Sequence, residues 1–333
     1  MAIVYVLSEE EGAGKTALTA SLAHVLRGQG QKATALKPIA SGNADPDPEI
    51  YGELLGQAAG ADPLDLPDGG LTPQVTEEVS SRVAAVSGEA DVVLIEGSCR
   101  LSAGDSAQLA ESLDARVLVV SRYDHDLEAA HLTHWREELG ERLAGFVVNG
   151  LTRHMGTDVR TGLLPSMDRE GLVSFGVIPE DRRLLGATVS QVAEHLEGRF
   201  SVCEEKADRL VEHFMVGGMG MDPGELYFGS RDDKAVIVRG DRPDLQMSAL
   251  GTPTACMVLT KGIDAIEYVK YEAEQEEVSI VVVPTDTLGT MDSLATLMSG
   301  SRFDHPAKLN RFAELVTKHI DLPALFGALG VAS

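Results

Sequence analysis

Short runs of aliphatic and β-branched residues alternate with longer, one-sided apolar patterns through the first half of the chain. Strands are predicted at 2–7, 33–38, 91–96, 116–121, 145–149 and 173–178. Each run is apolar almost without interruption, the pattern of a strand covered on both faces in a parallel sheet. Between the first two lies a helical stretch over 15–27, where Leu18, Leu22, Val25 and Leu26 share one face; Gly28 and Gly30 close it. This alternation predicts a doubly wound, mostly parallel α/β domain with right-handed crossovers. Its ligand crevice is expected beyond the carboxyl ends of the strands.

The polar, proline-led segment Pro179-Glu180-Asp181-Arg182-Arg183 follows the last of these strands and marks a domain boundary. The alternation then restarts, with a helix near 189–196, strands near 235–239, 255–259 and 279–284, and a helix near 265–276. That pattern predicts a second, smaller α/β domain. Residues 304–320 form a terminal amphipathic pattern entered through Pro306, with Leu309, Phe312, Leu315 and Val316 on one side. The expected division is 1–180, 188–300, and a C-terminal helix and tail over 301–333. No internal repeat or low-complexity tract is visible.

A length of 333 residues suits two domains, each able to bury its own core. The 28 Lys+Arg against 52 Asp+Glu give a net charge of −24. That balance excludes nonspecific binding to nucleic acid or to an anionic membrane, which needs a basic face, but leaves room for a small local nucleotide site. No apolar run approaches the roughly 18 residues of a membrane span. The apolar opening 2–7 is too short for a signal peptide and lacks a basic start, so a soluble, cytoplasmic protein is expected. Cys99, Cys203 and Cys256 are far apart and odd in number, which indicates neither a disulfide framework nor a zinc site.

Ser8-Glu9-Glu10-Glu11-Gly12-Ala13-Gly14-Lys15-Thr16 follows the first predicted strand and opens the first helix. A phosphate site needs this arrangement. Small residues let backbone N–H groups converge on the anion, the helix N-terminus adds a positive dipole end, and Lys15 reaches the β- and γ-phosphates. The Thr16 hydroxyl would sit on Mg²⁺. Gly12, Ala13, Gly14, Lys15 and Thr16 are the expected nucleotide contacts, although Glu9 stands where the strict pattern has its first glycine. Two like charges about 6 Å apart at an effective dielectric near 20 repel by about 3 kcal/mol, against about 0.5 at 8 Å in water. Affinity therefore turns on whether Glu9, Glu10 and Glu11 point outward or inward.

The first 180 residues resemble the dethiobiotin synthetase branch of P-loop proteins. Beside the loop, Ala35-Leu36-Lys37-Pro38-Ile39-Ala40-Ser41-Gly42 is similar to that family's lysine–proline segment, and Asp91-Val92-Val93-Leu94-Ile95-Glu96-Gly97 to its strand ending in Glu-Gly. Ala144-Gly145-Phe146-Val147-Val148-Asn149 looks like the strand whose asparagine meets the adenine, and Gly176-Val177-Ile178-Pro179 like the strand after it. The resemblance implies that Lys37, with Lys15, stabilises a transferring phosphoryl group or a carboxylate and that Ser41 contacts the substrate end. It also implies that Glu96, with Asp47 as a second carboxylate, holds Mg²⁺. A hydroxyl, one or two carboxylates, phosphate and water are the hard oxygen donors this ion takes. The alternatives are a solvated Lys37, a helix-capping Glu96, and an Asn149 that forms a turn with Gly150. Ser98-Cys99-Arg100 departs from the small residues that let an acid substrate approach in the synthetases, so dethiobiotin synthesis itself is not expected.

In the second half, Gly240-Asp241-Arg242-Pro243, Leu259-Thr260-Lys261-Gly262 and Val216-Gly217-Gly218-Met219 together resemble a DRTGG domain over roughly 188–300, with Lys261 in the place of one glycine. Asp241, Arg242 and Thr260 are its candidate residues, either binding a small anion or stabilising a turn as an ion pair. The order of the two domains resembles the N-terminal, regulatory region of long phosphotransacetylases; the acyl-transferring domain that would follow is not in the sequence. The resemblance implies a nucleotide-responsive regulatory protein using ATP and Mg²⁺, with possible dimerisation through the second domain or a protein partner. The alternatives are an ATP-dependent ligase or carboxylase-type enzyme acting on a small carboxylic acid, and a scaffold that binds nothing. His125, His131 and His134 match no metal spacing and are expected to be solvated or helix-capping. Cys99 beside Arg100 has no histidine partner in the pattern.

Overall fold

The structure, a computed structural model, describes residues 1–40, 47–58, 61–66, 70–218 and 224–331, without the side chains of 47–49, 298 and 299. The chain forms two compact units, Met1–Asp181 together with Phe303–Ser333, and Arg182–Arg302.

The first unit is built on six strands, β1 (Ala2–Leu7), β2 (Ala33–Leu36), β3 (Val92–Glu96), β4 (Arg116–Arg122), β5 (Leu143–Leu151) and β6 (Ser174–Pro179). They lie in the order β2-β3-β1-β4-β5-β6, and every pairing is parallel. The chain winds from β1 to the β2 edge, returns through β3, and crosses to β4 on the far side of β1. Helices of the crossovers include α1 (Lys15–Gly28), α2 (Asp47–Leu55), α3 (Pro73–Ser87), α4 (Ala103–Ser112) and α5 (Ala129–Leu139). Alternation along β1 explains why both sheet faces must be covered. Tyr5 and Leu7 enter a core with Val93, Ile95, Val119, Leu132 and Trp135, while Val4 and Val6 are buried on the opposite face, where α1 packs.

The amphipathic C-terminal pattern is a helix, Pro306–His319, with Pro306 in its first turn and the His305 side chain accepting from Ala307 N. Leu309, Phe312, Leu315 and Val316 are its buried face, and it packs on α1 of the first unit. Beyond it, Ile320 forms a bridge with Gly176 at the β6 edge, and Asp321 N donates to Phe175 O at 2.8 Å. The edge strand is thereby covered rather than left open.

The second unit holds a five-stranded sheet in the order β10 (His213–Gly217), β11 (Lys234–Arg239), β12 (Thr254–Thr260), β13 (Ser279–Val282) and β8 (Arg199–Val202). The first four are parallel, and β8 is antiparallel to β13. A two-stranded antiparallel pair joins β7 (Ala187–Thr188) to β9 (Leu210–Val211). Val236, Val238, Met257 and Leu259 face one buried cluster, and Ala235, Ile237, Cys256 and Val258 the other, so this sheet too is covered on both sides.

Candidate functional site

Register brings the predicted residues together in the first unit. Val6 on β1 lies abreast of Glu96 on β3, and Leu36 on β2 abreast of Ile95. Lys37, the residue after β2, therefore arrives beside Glu96 at the carboxyl ends of the strands, where the loop after β1 begins. This is the position at which the winding reverses around β1 and where α/β sheets take their ligands.

The loop runs from Ser8 to Gly14, whose backbone at φ +101 turns the chain into α1. A Cβ at Gly14 would stand 2.3 Å from Asn149 Nδ2, so close an approach admits no side chain. Asn149 reaches in from β5 and donates from Nδ2 to Ala13 O at 2.9 Å, rather than closing a local turn with Gly150. Glu9, Glu10 and Glu11 are exposed, and the loop presents none of their carboxylates to Lys15. Lys15, only 6% exposed, donates from Nζ to Ser8 Oγ at 2.8 Å and to Cys99 Sγ at 2.7 Å.

Glu96 is the hub of the second cluster. Its Oε1 accepts from Thr16 Oγ1 at 3.1 Å and pairs with Lys37 Nζ at 3.2 Å, and its Oε2 accepts from the Tyr51 phenol on α2. Lys37 and Glu96 are both buried. Lys37 is thus an ion-paired group and not a solvated one, and Glu96 meets the side chain of Thr16. Ser41 lies outside the described residues. Asp47 opens α2, and its side chain lies outside the description.

Arg100 turns its guanidinium to Leu66 O at 3.0 Å and to Asp65 at 3.5 Å. His134 Nε2 meets Glu9 Oε1 at 3.2 Å, and His134 Nδ1 lies 2.9 Å from His131 O. Among the described residues no three His, Cys, Asp or Glu are grouped to hold a metal ion. Sequence reasoning passed over two residues that the fold brings to the loop. Tyr51 sits among the apolar positions of α2 and has the signature of a core residue. Arg122, at the end of β4, lies against the loop, with Nη1 3.7 Å from where a Cβ on Gly12 would be; its signal was its place at a strand carboxyl end.

In the second unit Arg239 on β11 lies abreast of Thr260 on β12, and the Asp241-Arg242 turn follows. Asp241 and Arg242 each pair with a residue two positions away. Arg239 Nε donates to Asp241 Oδ1 at 2.8 Å, and Arg242 binds Asp244 through Nε at 2.8 Å and Nη2 at 2.6 Å. These guanidinium hydrogen bonds hold the Asp241 and Asp244 carboxyls below the usual carboxylate range. Two-residue spacing lets each arginine fork reach a carboxylate that its immediate neighbour does not offer. Thr260 is buried, with Oγ1 3.3 Å from Thr287 Oγ1. Lys261 takes φ +68, a conformation that glycine adopts without strain. Met219 lies outside the described residues.

A family model described as an AAA domain matches residues 3–188, and one described as a DRTGG domain matches residues 191–297. The phosphate acetyltransferase of Deinococcus radiodurans is 26% identical over 370 aligned residues, which take in 100% of this chain and 52% of that protein. The chain therefore spans about half the length of that relative. The ATP-dependent dethiobiotin synthetase BioD of Xylella fastidiosa is 29% identical over 181 residues, 45% of this chain and 78% of the synthetase. Among solved structures, cobyrinic acid a,c-diamide synthase from Mycobacterium smegmatis with bound ADP and magnesium has 20% identity and a TM-score of 0.39, covering 55% of this chain and 88% of that one. Among the described residues no helix is long and apolar enough to cross a membrane.

Proposed function

The chain belongs to the AAA domain family matched over residues 3–188, with a DRTGG domain after it, and from that premise we propose that it is a regulatory protein that binds ATP with Mg²⁺. The observation that carries the reading is the meeting of Thr16 and Lys37 on one oxygen of Glu96, directly beside the glycine loop. Thr16 Oγ1 and the Glu96 carboxylate are hard oxygen donors of the kind Mg²⁺ takes, so the residues present fit the ion. When bound, Mg²⁺ would neutralise phosphate charge. Backbone N–H groups over 12–16 and the Lys15 ammonium would hold the phosphates, exchanging Ser8 and Cys99 for phosphate oxygens. Arg122 would add positive charge at Gly12, and Asn149 would stand on the adenine side. Asp47 is the proposed second carboxylate and Ser41 the proposed contact at the substrate end.

The regulatory part rests on two features. Arg100 stands where the synthetases keep small residues for their acid substrate, and in the second unit Asp241 is engaged by Arg239, and Arg242 by Asp244, in turn-stabilising pairs. Nucleotide binding would be read out through the DRTGG domain, by dimerisation or by a protein partner. ATP with Mg²⁺ at 100 times its Kd should stabilise the chain by about 2.7 kcal/mol, with slow hydrolysis. An unchanged melting temperature across that titration counts against the reading.

A second reading, an ATP-dependent ligase for a small carboxylic acid, is favoured by the burial of Lys37 against Glu96. Two lysines beside the phosphates would stabilise charge in phosphoryl transfer. It requires ADP release that a small acid stimulates and that Lys37→Ala abolishes.

A further inference from the structure

We propose that Tyr51 is a positioning residue for the metal carboxylate, its phenol holding Glu96 by Oε2 so that Oε1 is the oxygen presented to Mg²⁺. The inference rests on the Mg²⁺-nucleotide reading above and names a residue that reading does not use.

The two oxygens of Glu96 stand in different surroundings. Oε1 faces Thr16 at 3.1 Å and the Lys37 ammonium at 3.2 Å, on the side of the glycine loop. Oε2 accepts from the phenol of Tyr51, which α2 brings in from the connection between β2 and β3. Both side chains are nearly inaccessible, Tyr51 at 1% and Glu96 at 2% exposure, so water is a poor substitute for either donor.

The chemistry of the donors divides the labour. A carboxylate turns readily about its last side-chain torsion, which is broad and roughly two-fold, so a buried glutamate needs a fixed partner to hold one oxygen outward. A phenol is neutral. It satisfies Oε2 without adding a positive charge that would repel an arriving dication. The Lys37 ammonium is a cation on the opposite oxygen, and close like charges disfavour its staying beside Mg²⁺. With Mg²⁺ held at Oε1, Lys37 would turn toward the phosphates, while Tyr51 would keep the carboxylate in place. Removing the phenol leaves a buried acceptor without that bond and lets the carboxylate turn, which weakens the metal and leaves the phosphate contacts of the loop intact.

The test is a fluorescence titration of the full chain with mant-ATP, once with Mg²⁺ and once with EDTA, comparing wild type, Tyr51→Phe, Glu96→Gln and the double variant. Phenylalanine keeps the buried ring and removes only the hydroxyl. The expected result is that Tyr51→Phe lowers the Mg²⁺ enhancement of affinity about 10–100-fold, the usual effect of removing a hydrogen bond to a metal ligand. Affinity in EDTA should be unchanged, and Tyr51→Phe should add no further loss in the Glu96→Gln background. An enhancement equal to or above wild type overturns the inference, as does a parallel fall in both affinities, which marks a merely structural phenol. A wild-type chain that binds mant-ATP in neither buffer, or without response to Mg²⁺, overturns the Mg²⁺-nucleotide reading itself. Binding with normal enhancement in wild type and in Tyr51→Phe overturns the role of Tyr51 alone.

Discussion

Lys15 donates from Nζ to Cys99 Sγ at 2.7 Å, so a thiol carried by the segment after β3 shares the ammonium that a phosphate would need. The lysine is held beside the loop by Ser8 and Cys99, and by no carboxylate of Glu9, Glu10 or Glu11. A nucleotide can displace a serine hydroxyl and a cysteine sulfur more readily than it could break a buried pair with a carboxylate.

This contact makes Cys99 a reporter of the phosphate site. Iodoacetamide should label Cys99 in the free protein, ATP with Mg²⁺ should slow that labelling, and the carbamidomethylated protein should lose nucleotide binding. Cys256 is the internal control, because it is buried and burial pushes its thiol up to about 12. Peptide mapping by mass spectrometry reads both sites. Equal labelling rates with and without nucleotide would contradict the assignment.

Gly14→Ala tests the turn into α1. The substitution places a methyl group 2.3 Å from Asn149 Nδ2 on a backbone at φ +101, so it should destabilise the first unit by more than about 1 kcal/mol and abolish ATP binding. Gly28→Ala, with nothing within 4 Å of the new methyl group, should leave both properties near wild type. Urea unfolding and nucleotide titration of the pair separate local strain from a general intolerance of α1.

Much of the first sheet was legible because a strand buried on both faces reads as a near-continuous apolar run, as Val92 to Ile95 does before the strand ends in Glu96. The short edge strand Arg199–Val202 escaped notice, since only one of its neighbours is a strand and its residues are partly exposed. Lys37 and Glu96 could be placed at strand ends, and Thr16 at the start of α1, from the pattern alone, but the convergence of Thr16 and Lys37 on the Glu96 carboxylate depends on the Val6–Glu96 and Leu36–Ile95 registers, which no local pattern encodes. Tyr51 was hidden for a related reason. Its ring obeys the packing of α2 while its hydroxyl obeys a strand 45 residues away. The pairing of Arg242 with Asp244 was hidden by side-chain geometry, since an i, i+2 fork and an adjacent pair look alike in sequence.

Lys234 gives a pH signature to the second unit. It is fully buried on β11, donates to Pro253 O at 2.7 Å, and burial pulls its pKa from 10.5 down to about 8, against the opposing pull of Asp232 and Asp233. Between about pH 8 and 10.5 the unfolded chain holds this proton while the folded chain has released it, so stability rises with pH through that window. The gain is on the order of 2–3 kcal/mol, and Lys234→Met should flatten it. Chemical denaturation of wild type and variant at pH 7.5 and 10 measures the difference; parallel slopes would show that the lysine keeps an ordinary pKa.

The most direct measurement is a calorimetric titration of ATP in Mg²⁺ into the wild-type chain and into Lys15→Ala. Binding near one nucleotide per chain in the wild type, weakened at least about tenfold in the variant by loss of a charged hydrogen-bond donor, is the predicted result. Equal heats and equal affinities in the two proteins, or no binding to the wild type, would contradict a phosphate site at the loop before α1.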